Sequence, residues 1–96
     1  METIVALLDD KQIQDGLLTL DGWAHEGRTI ARNLAFGSFP EAVAFVNRVA
    51  DLAEEADHHP DIDIRYRDVR LVLSTHSAGG LTGKDFALAR KIDRTV

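Results

Sequence analysis

Pro60 separates two hydrophobic periods that cannot belong to one kind of element. Before it, Ala42, Val46, Val49, Ala50 and Ala53 recur at the spacing that gathers apolar side chains into a stripe along one side of a helix. After it, Ile62, Ile64 and Tyr66 alternate with Asp63 and Arg65. Val69, Leu71 and Leu73 then alternate with Arg70, Val72 and Ser74, the period of two that marks strands. Proline has no backbone N–H and keeps the preceding residue out of the helical region, so the helix must stop short of it. The chain therefore joins a long helix to a hairpin turned near Arg67-Asp68.

The remaining elements follow from punctuation. Asp9 or Asp10 can cap a first helix with apolar positions Ile13, Leu17 and Leu18, in which Gly16 costs about 1 kcal/mol relative to alanine. Trp23 to Phe36 suggests a first hairpin turned at Glu26-Gly27, with Ile30, Leu34 and Phe36 on one parity and Arg32 breaking the pattern. Ser38 and Glu41 form a capping-box pattern, Pro40 sits in the first turn, and the stripe runs out near Ala56. Gly79-Gly80 ends the second hairpin. Thr82 and Asp85 then open a last helix whose apolar side carries Phe86, Ala89 and Ile92, with Leu88 at its margin. The order α-β-β-α-β-β-α predicts an α+β fold, a four-stranded antiparallel sheet with helices packed on one face.

With 96 residues there is room for one domain, spanning 1–96, and no repeat or linker interrupts it. So short a chain buries a modest share of its surface, and with no cysteine it has no disulfide to compensate, which favours self-association. Sixteen acids against eleven bases give a net charge of −5, which argues against a nucleic-acid partner. No apolar run approaches the roughly 20 residues that span a bilayer. Met1 to Leu8 carries Glu2 and lacks the basic start of a signal peptide, so a cytoplasmic protein is expected.

Three of the four histidines fall where elements end: His58 and His59 after the long helix, and His76 after the last strand. Imidazole titrates at about pH 6.5, so several around one cavity can protonate a leaving group while removing a proton elsewhere. Pro60 restricts His59 to an extended backbone, and Glu54, one helical turn before His58, could orient its imidazole. Each residue also has a plainer use. His58-His59 suits a solvated helix terminus favoured by the macrodipole. His76 suits a satisfied strand end, Asp85 a helix cap with Thr82, and Glu54 a solvated edge charge. His25, beside the first turn, is assigned to the surface. Three histidines and a carboxylate could also hold zinc, but adjacent histidines diverge and the sequence has no His-x-x-x-His pair and no cysteine. No metal is expected.

Glu54-x-x-x-His58-His59-Pro60, Tyr66, Ser74-Thr75-His76 and Gly80-Leu81-Thr82-x-x-Asp85, with Asp21-Gly22-Trp23 and Phe36-x-x-Phe39 before them, resemble the pterin-4a-carbinolamine dehydratase family from about Trp23 to Ile92. The resemblance implies dehydration of 4a-hydroxytetrahydrobiopterin, or a related 4a-hydroxytetrahydropterin, to the quinonoid dihydropterin in tetrahydrobiopterin recycling. It implies no cofactor, because no electrons move, and assembly as a homodimer or homotetramer. It assigns acid–base roles to His58, His59 and His76, orienting roles to Glu54 and Asp85, and pterin contacts to the backbone of His58, His59 and Pro60 and of Thr75, His76, Ser77 and Ala78. Ile62 stands where animal members often carry tryptophan, and Lys84 replaces an arginine common before the aspartate. The same fold resembles a dimerisation cofactor of a homeodomain transcription factor and bacterial carboxylase assembly factors, so a non-catalytic scaffold is the rival expectation. The histidine trio distinguishes the two, since a scaffold has no use for it.

Overall fold

Asp9 starts the first helix by a reciprocal cap: its carboxylate accepts from the Gln12 backbone, and the Gln12 side chain accepts from the Asp9 backbone. In the computed structural model, which describes residues 6–96, this helix is α1 (Asp10–Leu17). There follow β1 (Ala24–Glu26), β2 (Thr29–Ala35), α2 (Phe39–Ala56), β3 (Asp61–Arg65), β4 (Asp68–Leu73), a single 3-10 turn at His76–Ala78, and α3 (Gly83–Asp93). Glu2, which carries the argument against a signal peptide, lies outside the described residues. No described helix is long and apolar enough to cross a membrane.

The strands form one sheet in the order β1-β2-β4-β3, antiparallel throughout. Register places Ile30 opposite Leu73 and Leu34 opposite Val69, so their side chains share the face that the helices cover. Against them pack Ile13 of α1, Ala42, Phe45, Val49 and Ala53 of α2, and Phe86, Leu88, Ala89 and Ile92 of α3. Burying each of the valine, leucine, isoleucine and phenylalanine side chains among these stabilises by about 1.5–3 kcal/mol. The opposite face is polar: Arg70 donates to Glu26 at 2.7 Å and to Asn33 at 3.3 Å. The α+β architecture and the element order are those expected.

Three local expectations need correction. The α2 stripe is rotated: Phe45 is fully buried, Val46 is only half-buried and Ala50 is exposed. The aromatic, having the largest apolar surface, takes the centre of the buried face. Leu18, placed among the buried positions of α1, is its C-cap and is exposed. Glu41 does not close a box on Ser38; Ser38 accepts from the Glu41 backbone, while the Glu41 side chain accepts from Gly37 instead. Gly16, unfavourable inside a helix, is explained by packing: a Cβ there would stand 2.7 Å from the Phe86 ring.

Candidate active site

α2 ends in a way that separates its two histidines. Asp57 adopts a left-handed conformation (φ 49°), which aspartate tolerates better than most residues. Its N–H and that of His58 turn back onto carbonyls of the last helical turn, with His58 N–H bonding Ala53 O at 3.1 Å. The chain leaves the helical path at this point. His58 therefore does not align with Glu54, as continued helix would require. It turns inward, and its Nε2 lies 2.6 Å from Oδ1 of Asp85. Glu54 pairs instead with Nε2 of His59.

His76 comes from a second reversal. Thr75 and Gly80 form an antiparallel bridge, with the Thr75 N–H bonding Gly80 O at 2.9 Å, and the 3-10 turn bulges between them. Gly79 closes that turn at φ 77°, a conformation that suits glycine. His76 is thus lifted to the surface, and its ring has no hydrogen-bond partner among the described residues.

Asp57, His58, His59, Ser74, Thr75, His76, Ser77 and Lys84 line one depression of about 270 Å³. This approaches the roughly 300 Å³ at the lower end of small-molecule sites. A larger depression of about 640 Å³ lies over Asn33, Asp63, Arg65 and Arg70, but no histidine lines it. The chemistry points to the smaller one. Of the residues singled out from sequence, His58, His59, Thr75, His76 and Ser77 line it directly. Glu54 and Asp85 stand behind two of the histidines. Pro60 is outside the lining, and Ala78 lines a neighbouring depression with His25 and Arg28.

The two histidine–carboxylate pairs differ in burial. The side chains of His58 and Asp85 are 11% and 0% exposed, while those of His59 and Glu54 are 55% and 77% exposed. Water screens the second pair and not the first. Asp85 is further held on Oδ2 by the Thr82 backbone N–H and the Thr75 hydroxyl, both at 2.9 Å. Two residues named from sequence do more here than that reading gave them. Thr82 belongs to this buried network as well as capping α3. Lys84 places a cation in the first turn of α3, where the helix dipole disfavours one, and that anomaly was the available signal. Among the described residues, no group of three or more His, Cys, Asp or Glu side chains is arranged to hold a metal ion.

Comparison with known proteins agrees over nearly the whole chain. The model of the family described as "Pterin 4 alpha carbinolamine dehydratase" matches residues 6–95. A Roseiflexus castenholzii protein named "Putative pterin-4-alpha-carbinolamine dehydratase" is 56% identical over 93 residues, covering 97% of this chain and 100% of that one. A Nocardia farcinica protein of the same name is 58% identical over 87 residues, covering 91% and 92%. A crystal structure described as a transcriptional coactivator/pterin dehydratase from Brucella melitensis superimposes with a TM-score of 0.88 at 34% identity, covering 92% of this chain and 96% of its own. A pterin dehydratase-like protein described as a RuBisCO assembly factor in the alpha-carboxysome gives 0.67 at 26% identity, covering 80% and 92%. The motifs around His58, His76 and Asp85, the fold that joins them and these likenesses lead to one conclusion: the chain belongs to the pterin-4-alpha-carbinolamine dehydratase family.

Proposed function

We propose that residues 1–96 act as one catalytic domain that removes water from 4a-hydroxytetrahydrobiopterin or a related 4a-hydroxytetrahydropterin. The family name already places the chain among dehydratases, which are lyases, acting on a pterin. The observation that carries the finer reading is the convergence of His58, His59 and His76 on one depression, two of them backed by carboxylates.

The reaction needs two proton transfers and no electrons. A proton reaches the 4a-hydroxyl, the C4a–O bond breaks and water leaves. The N5 proton departs, and its electron pair forms the C4a–N5 double bond of the quinonoid dihydropterin. The three imidazoles supply and accept these protons. Asp85 orients His58 and Glu54 orients His59. The pterin ring lies against the backbone of His58, His59, Thr75, His76 and Ser77, which line the depression, and extends past it to that of Pro60 and Ala78, which do not. No redox cofactor or metal takes part. The expected setting is the cytoplasm, where the chain works as a homodimer or homotetramer. The sheet edge supports self-association, since every residue of β3 is exposed, including Ile62 and Ile64.

A scaffold role is the second reading, and the likeness to the Brucella coactivator/pterin dehydratase and to the carboxysome assembly factor favours it. A scaffold gains nothing from a histidine held 2.6 Å from a fully buried carboxylate, so catalysis accounts for more of this chain. The test is an assay that generates 4a-hydroxytetrahydropterin in situ and follows quinonoid dihydropterin by absorbance. Wild type should accelerate the reaction and the His58→Ala/His59→Ala double variant should not. No acceleration over the spontaneous rate by wild type would overturn the dehydratase and turn the search to protein partners.

A further inference from the structure

We propose that Thr75 and Thr82 are positioning residues for His58: their buried hydroxyls fix the Asp85 carboxylate so that His58 carries its proton on Nε2 and presents a bare Nδ1 to the depression. The tautomer follows from hydrogen-bond accounting. Only the use made of Nδ1 rests on the dehydratase reading.

Thr75, Thr82 and Asp85 are 3%, 0% and 0% exposed, so each of their polar atoms must be satisfied within the protein. A threonine hydroxyl has one hydrogen to give, and an ionised carboxylate has none. Oδ2 of Asp85 lies 2.9 Å from the Thr82 backbone nitrogen and 2.9 Å from the Thr75 hydroxyl. The backbone N–H can only donate. If Thr75 gave its hydrogen to Thr82, 2.8 Å away, two bare oxygens would face each other across the Thr75–Asp85 contact. Thr75 therefore donates to Asp85, and Thr82 donates to Thr75. The Thr82 oxygen in turn accepts from the Lys84 backbone N–H at 3.2 Å. Every hydrogen is used once, in a chain running from the α3 N-terminus to the carboxylate.

Oδ1 remains for His58 Nε2 at 2.6 Å, and there the hydrogen must come from the imidazole. A neutral His58 then has its lone pair on Nδ1. Among the described residues that atom has no partner and no buried side-chain nitrogen or oxygen is left unpaired, so Nδ1 is not sealed in the interior, and the depression is the space that His58 lines. Nδ1 is placed to accept a proton. His59 has no comparable constraint: its partner Glu54 is exposed and held by no second group among the described residues.

The experiment reads the tautomer directly by long-range 1H–15N correlation of imidazole-labelled protein at a pH where His58 is neutral. Wild type should show a protonated Nε2 and an unprotonated Nδ1 on His58; the reverse tautomer would overturn the proposal without any variant being made. Thr75→Val, which keeps the shape but loses the donor, should give a mixed tautomer and a kcat at least tenfold lower, with KM within twofold. Thr75→Ser should restore both. A Thr75→Val protein that melts earlier yet keeps the Nε2–H signature and full kcat would reduce Thr75 to a structural residue and overturn the proposal. If wild type lacks dehydratase activity while the tautomer responds to Thr75→Val, the positioning stands and the dehydratase reading falls.

Discussion

Asp85 in the first turn of α3 and Asp93 at its last residue are built alike: each gathers several partners from outside the helix. Asp85 takes His58, Thr75 and Thr82. Asp93 takes the Asp21 backbone at 2.9 Å, the Trp23 indole at 2.7 Å and the Arg32 guanidinium at 2.5 Å. They differ in what the helix does for them. At the N-terminus the macrodipole and the free N–H groups stabilise a negative charge, so Asp85 is paired with a histidine and not with a permanent cation. At the C-terminus the same dipole opposes a carboxylate, and Asp93 is matched with a guanidinium that is always charged. One end of α3 therefore holds a proton that can move. The other is a fixed staple between the first hairpin and the last turn of α3.

Replacing each aspartate by asparagine tests this contrast, and the largest effect is expected there. Asp85→Asn loses the acceptor that orients His58, and dehydratase kcat should fall about a hundredfold or more, within the range for a disabled acid–base group. Asp93→Asn should leave kcat per folded molecule within twofold. Equal losses at both positions would show that α3 transmits any damage to the site and that the two ends do not divide the labour. Next in size is a stability effect confined to the staple. Arg32→Ala strands Asp93 without its cation and should cost about 3 kcal/mol. For a domain of this size that lowers Tm by more than about ten degrees. A loss under about 1 kcal/mol in a thermal or urea melt would put the pair among ordinary screened surface contacts.

The two ends were unequally legible in the sequence. The Thr82-x-x-Asp85 cap is a local pattern and is observed, but that the same carboxylate also meets His58 depends on how α2 ends. Asp57 in the left-handed region sends His58 inward and returns His59 toward Glu54, and periodicity carries no record of that turn. Arg32 was visible only as a break in the β2 alternation. Its explanation lies 61 positions away at Asp93, beyond any local pattern. The period change at Pro60 marked the boundary between α2 and β3 well, because it depends on backbone geometry alone. The facing of α2 was less legible: its alanines blur the stripe, and only packing shows that Phe45 outranks Val46.

The smallest expected effect sharpens the contrast between buried and exposed carboxylates. Glu54 reaches His59 much as Asp85 reaches His58, but this pair sits in water. Exposed ion pairs contribute at most about 1 kcal/mol, and 1 M salt shortens the screening length to about 3 Å. Glu54→Gln should therefore shift stability by less than about 0.5 kcal/mol and lower kcat only a few-fold. In 1 M NaCl the activities of Glu54→Gln and wild type should converge, while the deficit of Asp85→Asn persists. A salt-independent loss in Glu54→Gln as deep as that of Asp85→Asn would mean that substrate shuts the depression from water, and that both carboxylates act as buried groups when the chemistry occurs.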